Sequence, residues 1–116
     1  MQDFRNLIAW QKAHALENRL DPFVDRFAKK RPIVADQVER CANSIPANIS
    51  EGCGRATKKD FRRFLSDAIG SASELENHLI RAWRRGLITE EERDSLLADV
   101  VEVRKILHGL RKSLGE

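Results

Sequence analysis

The stretch TKKDFRRFLSDAIGSASELENHLIRAWRRG, from Thr57 to Gly86, decides the fold. Phe61, Leu65, Ala68, Ala72, Leu75 and Leu79 recur along it at spacings of 4, 3, 4, 3 and 4, the heptad seam of a helix packed nearly parallel to its neighbours. Both ends are marked. Thr57 can cap the first turn with Asp60 three residues on, and Gly86 supplies the left-handed residue that follows a last turn. A helix from about Lys58 to Arg85 at 1.5 Å per residue reaches roughly 42 Å, more than a small globule requires.

Three further helical stretches follow from the same rules. In the last, Leu96, Val100, Val103, Leu107, Leu110 and Leu114 repeat the 4, 3, 4, 3, 4 spacing. Thr89 and Glu92 form a capping box there, Glu90, Glu91 and Asp94 sit at the positive end of the helix dipole, and Arg104, Lys105, Arg111 and Lys112 favour the other end. The second stretch begins near Pro32 and presents Val34, Val38, Cys41, Ile45 and Ile49. Pro46 interrupts it: proline cannot donate to the Ala42 carbonyl, which predicts a kink with Asn43, Ser44 or Asn48 offering replacement hydrogen bonds, before Gly52 and Gly54 end the helix. The first stretch carries Leu7, Ile8, Ala13, Leu16, Leu20, Val24 and Phe27, with Asp21-Pro22 as a break or a restart. No segment alternates as a half-buried strand would. The expectation is all-α: a single domain over residues 1–116, an antiparallel up-down four-helix bundle with a proline kink in helix 2.

Composition agrees. Of 116 residues, 41% are hydrophobic and 34% charged, enough to fill a core and solvate a surface, which excludes disordered and fibrous classes. No apolar run approaches a membrane span, and Met1-Gln2-Asp3-Phe4-Arg5 opens no secretory leader, so a cytoplasmic location is expected. Cys41 and Cys53 are too few and too far apart for a disulfide framework or a cysteine metal cage.

The residues offer little catalytic chemistry. His14, His78 and His108 fall on three different helices; His14 shares a face with Glu17, and Glu74 with His78 is an i, i+4 pair, but the chain contains no Glu-x-x-His of the di-iron bundles. No metal, cofactor or small-molecule substrate is expected. Gly52-Cys53-Gly54-Arg55 matches neither the Walker nor the dinucleotide pattern and has no preceding strand, so it reads as helix punctuation. Arg55 beside Cys53 suggests a somewhat lowered thiol pKa, without a positioned base.

Charge distribution says more. There are 21 Lys and Arg against 18 Asp and Glu, for a net charge of +3. Arg55, Lys58, Lys59, Arg62 and Arg63 nevertheless cluster against one acid, Asp60, with Arg81, Arg84 and Arg85 as a second patch. Such a face can neutralise phosphates without reading sequence; it can also simply solvate the bundle. One residue round from the seam, Ser66, Gly70, Ser73 and Asn77 form a small-residue stripe that would let another helix approach. Ile69, Ile80, Trp83, Leu97 and Val101 lie off the seams, as in a bundle with a second buried face.

Ser44-Ile45-Pro46-Ala47-Asn48-Ile49-Ser50-Glu51-Gly52-Cys53-Gly54-Arg55 resembles the signature S-I-P-A-N-I-A-E-G-x-G-R of the 23S rRNA intervening-sequence, or S23-type, family of four-helix bundles. Trp10-Gln11-Lys12-Ala13-His14, Phe61 to Leu65, Gly70 to Glu76 and Gly86 to Thr89 are similar to other segments of that family, in order. Ser50 stands where alanine is usual, and Asp21-Pro22 is atypical. The resemblance implies a homo-oligomer, a five-fold ring, and no catalytic residue. The accessory variability determinant of diversity-generating retroelements, a basic pentamer that binds nucleic acid and a reverse transcriptase, is similar in fold; its role comes here only by analogy. The combined expectation is a non-enzymatic oligomer that binds RNA or DNA through Arg55, Lys58, Lys59, Arg62 and Arg63. The alternative is a protein-interaction or scaffold module.

Overall fold

Thr57 accepts a hydrogen bond from the Asp60 N–H at 3.1 Å and opens the longest helix, as its sequence requires. The computed structural model describes residues 3–115; Met1 and Gln2, part of the opening read for a leader, lie outside them. Four α-helices follow a short 3-10 turn at Phe4–Asn6: α1 (Ile8–Ala28), α2 (Pro32–Cys53), α3 (Lys58–Arg84) and α4 (Glu90–Ser113). Each packs on its chain neighbour, and α1 closes onto α4, giving an antiparallel up-down bundle 43 Å long and 20 Å across. No described helix is long and apolar enough to cross a membrane.

Both seams go where their spacing sends them. Leu65, Ala68, Ala72, Leu75 and Leu79 of α3 are buried against Leu96, Val100, Val103 and Leu107 of α4 and the Val34, Val38, Ile45 and Ile49 face of α2. Each fully buried leucine or isoleucine contributes roughly 1.5–3 kcal/mol, and among the described residues no polar side chain is buried with them. Gly86, at φ +75°, closes a Schellman turn: its N–H bonds the Trp83 carbonyl and the Leu87 N–H bonds that of Ala82, both at 2.9 Å. Leu87 and Ile88 then drop into the core before the Thr89–Glu92 capping box starts α4.

One expectation about a chain break is corrected. α1 runs unbroken through Pro22, because Pro22 and Asn18, whose carbonyl loses its donor, are both exposed and water can take the vacant acceptor. α2 runs through Pro46 and ends where its two glycines mark it, with Gly52 in the last turn, Cys53 the last helical residue and Gly54 the C-cap. Around Pro46, Asn48 Nδ2 donates to the Ser44 carbonyl at 2.8 Å, while Asn43 turns away to Glu17 of α1.

Charged pairs fasten the outer faces. Arg26 forks onto Glu92 at 3.0 Å through both nitrogens, Arg19 pairs with Asp99, and Arg104 bonds Glu76 at 2.9 Å. Exposed pairs of this kind are each worth about 0–1 kcal/mol, so they set the register of α1 and α3 on α4 more than the stability.

Candidate nucleic-acid interface

Because α3 and α4 are antiparallel, the basic first turns of α3 lie beside the basic last turns of α4. Lys59, Arg62 and Arg63 face Arg111 and Lys112 across an open groove of about 600 Å³, completed by Ser66, His108 and Gly115. Five cations line it and, among the described residues, no carboxylate does. Its walls are held in place: Arg62 Nη1 donates to the Leu114 carbonyl at 2.9 Å, and Arg111 Nη1 donates to Ser66 Oγ at 3.1 Å. Arg111 Nη2 also lies 3.2 Å from His108 Nδ1.

The five cations picked from sequence divide. Lys59, Arg62 and Arg63 line the groove. Arg55, in the loop before α3, adjoins it through Phe64, whose ring carries the Arg55 guanidinium at 4.8 Å and that of Arg63 at 4.4 Å. Each of these arginines also has an acid within 3.7 Å, Glu51 and Asp60 respectively. Lys58 is exposed on the first turn but outside the groove lining. Sequence reasoning missed the α4 half, treating Arg111 and Lys112 only as dipole partners; the short connection after Gly86, which forces α4 back along α3, was the clue.

At the other end of α3, Arg81, Arg84 and Arg85 line a second groove of about 410 Å³ with Asn77 and Ile80. Along the same face Ser66, Gly70, Ser73 and Asn77 are all exposed, and apart from the adjoining backbone of α3 nothing comes within 4 Å of a Cβ placed on Gly70.

The histidines separate. His14 stacks on Trp10 at 4.7 Å and meets Asn18 at 3.3 Å, leaving Glu17 to Asn43. On the α2–α3 face, Cys41 Sγ donates to Glu74 Oε2 at 3.3 Å, and His78 Nε2 lies 3.9 Å from the same oxygen. The sequence paired Glu74 with His78; only the packing of α2 on α3 adds Cys41. Burial, then the hydrogen bond to the Glu74 carboxylate, pushes the Cys41 thiol up to about 12. Burial also raises the Cys53 thiol, which corrects the expectation that Arg55 would lower it.

The profile of the 23S rRNA-intervening sequence protein family matches residues 5–109. The chain belongs to that family. A crystal structure of a protein of unknown function from the S23 ribosomal protein family, from Bacteroides thetaiotaomicron, is similar with a TM-score of 0.85 and 26% identity, over 90% of this chain and 99% of that one. No curated protein matches. In this chain the family signature from Ser44 to Arg55 holds the α2–α3 packing together. Ser44 Oγ bonds Ser71 Oγ of α3 at 2.8 Å and accepts from Asn48 Nδ2 at 3.0 Å. Ile45, Pro46 and Ile49 are buried, Ala47 is exposed, and Gly52 admits the aromatic start of α3. Glu51 pairs with Arg55 across the exit through Gly54.

Proposed function

We propose that this chain is a non-enzymatic, cytoplasmic homo-oligomer whose basic end engages the phosphates of RNA or DNA. The groove between the start of α3 and the end of α4 carries this reading, since its five cations are fixed on two helices with no lining carboxylate among the described residues. The α3 half is placed at a cost in stability, unlike Arg111 and Lys112 at the C-terminal end of α4. Cations near a helix N-terminus oppose the dipole by about 0.3–1 kcal/mol each, and the first turn of α3 holds Lys58 and Lys59 against one acid, Asp60, whereas α4 begins with three glutamates. A bound phosphate would reverse that penalty and also meet the free N–H groups of the first turn.

Assembly strengthens the reading. The resemblance implies a five-fold ring, as in the accessory variability determinant of similar fold, and a ring would repeat the groove around one axis and focus its field on a polyanion. The solvent-facing stripe Ser66, Gly70, Ser73 and Asn77 offers a surface on which a second copy can pack closely.

Binding of labelled RNA and DNA across a salt series tests the proposal. Five phosphate contacts predict an affinity loss of roughly 10²-fold on single strands and about 500-fold on duplex DNA between 50 and 200 mM salt. Affinity that is indifferent to salt, or that survives joint neutralisation of Lys59, Arg62 and Arg63, would overturn it. The scaffold reading rests on a different observation: Ile8, Ile33, Ile80 and Trp83 are exposed, Ile33 by 67%.

A further inference from the structure

We propose that Cys41, Glu74 and His78 form a binding site for a thiophilic divalent transition metal, zinc being the best match, on the α2–α3 face of the bundle. The three residues come from different turns of two helices, yet one donor atom from each lies within 4.8 Å of the other two. A tetrahedral zinc with bonds of about 2.0–2.3 Å holds its ligands about 3.3–3.7 Å apart. Cys41 Sγ and Glu74 Oε2, at 3.3 Å, already meet that spacing, and the His78 ring, 3.9 Å from the same oxygen and within 4.8 Å of the sulfur, closes the set by moving inward about 0.5–1 Å.

The site has the right rigidity and access. Cys41 is buried on α2, and Glu74 and His78 stand one turn apart on one side of α3, the i, i+4 placement by which a helix presents two ligands to one ion. Glu74 is exposed, so its carboxylate can swing, an ion can enter from solvent, and water can complete the tetrahedron. Thiolate, imidazole and carboxylate together select zinc or cobalt over magnesium or calcium, which prefer oxygen alone.

A second observation points the same way. His78 Nδ1 is buried without a hydrogen-bond partner, and at 3.9 Å Nε2 is beyond hydrogen-bond reach of Glu74. Nε2, held by no hydrogen bond to that carboxylate and turned toward it, is the nitrogen open to a metal. Binding exchanges the thiol proton of Cys41 for the metal, the proton leaving to solvent and the sulfur keeping its electron pair for the new bond.

Titration of the metal-free chain with Co²⁺ tests this. A saturable 1:1 visible spectrum with a near-ultraviolet thiolate-to-cobalt band is expected, displaced by Zn²⁺. Cys41→Ala should abolish the thiolate band, and Glu74→Gln, a surface change that leaves folding intact, should weaken binding at least ten-fold, as should His78→Gln. Cys53→Ala should bind as the parent does. Absence of a 1:1 signal, its survival in Cys41→Ala, its loss in Cys53→Ala, or full affinity in Glu74→Gln would overturn the proposal.

Discussion

Gly52 faces Phe64 so closely that a methyl group on its Cα would stand 2.8 Å from the Phe64 Cβ and 2.9 Å from the Phe61 ring. Ring atoms can move aside, but a Cβ is tied to the backbone of α3, so relief requires the start of α3 to shift. Gly52→Ala should therefore destabilise the chain by about 1–3 kcal/mol, although alanine is the better helix former. Urea unfolding checks it: a midpoint equal to or above the parent's would show that α2 and α3 are not held at this distance.

The capping box at Thr89 can be tested by substitution and by pH. Thr89→Ala should cost about 1 kcal/mol in thermal or urea melts. Glu92, which completes the box and accepts from both Arg26 nitrogens, has its carboxyl held below the usual range, first by that arginine and next by the Thr89 N–H. The folded chain thus binds this proton less tightly than the unfolded one. Its contribution is full above the unfolded value of about 4.3 and disappears as pH falls through the lower folded value. Glu92→Gln should be less stable at pH 7, and the gap to the parent should close below pH 4; a constant gap across that window would contradict the linkage.

What could be read from sequence was what is local or periodic. Thr57, Gly86 and the Thr89–Glu92 pair act within one turn of themselves, and the two seams bury the residues their spacing selects except at the bundle end, where Phe61, Leu110 and Leu114 are only partly covered. Asp21-Pro22 misled because a proline's effect depends on whether the lost carbonyl partner faces water, and burial at Asn18 is set by α1's rotation in the bundle. Gly52 and Gly54 do mark the end of α2, but that Gly52 also admits α3 at close approach was not legible, because only the neighbouring helix reveals it. The groove was half legible: Lys59, Arg62 and Arg63 are contiguous, while Arg111 and Lys112 join them only through the α3–α4 pairing. Cys41 meeting Glu74 and His78 was not legible, since the relative rotation of α2 and α3 leaves no trace in spacing.

Gly70 separates monomer stability from assembly. Its position is exposed, with 4 Å of clear space where a side chain would start, so a large helix former is tolerated within one chain. Gly70→Leu should keep or raise the stability of the monomer by about 0.5–1 kcal/mol. If Ser66, Gly70, Ser73 and Asn77 pack against a second copy, the same leucine holds the helices apart. Light scattering should then show a parent oligomer at micromolar concentration and a smaller species for the variant. A parent that is monomeric, or a variant with unchanged mass, excludes the stripe as the interface.

The α4 half of the groove gives the sharpest test of the nucleic-acid reading, because it is absent from the cluster seen in sequence. Each phosphate contact contributes about 0.7–0.9 to the slope of log affinity against log salt. Arg111 and Lys112 line the groove with Lys59, while Lys58, one residue away in sequence, does not. Arg111→Gln and Lys112→Gln should therefore each reduce the slope by about as much as Lys59→Gln, close to one, with similar losses on unrelated sequences. Lys58→Gln should reduce it by half that or less. Arg111 also donates to Ser66, so Ser66→Ala serves as the control for lost positioning: it should leave the slope unchanged while loosening the guanidinium. Equal slopes for the Lys58 and Arg111 variants would mean that net charge, rather than this groove, attracts the polyanion.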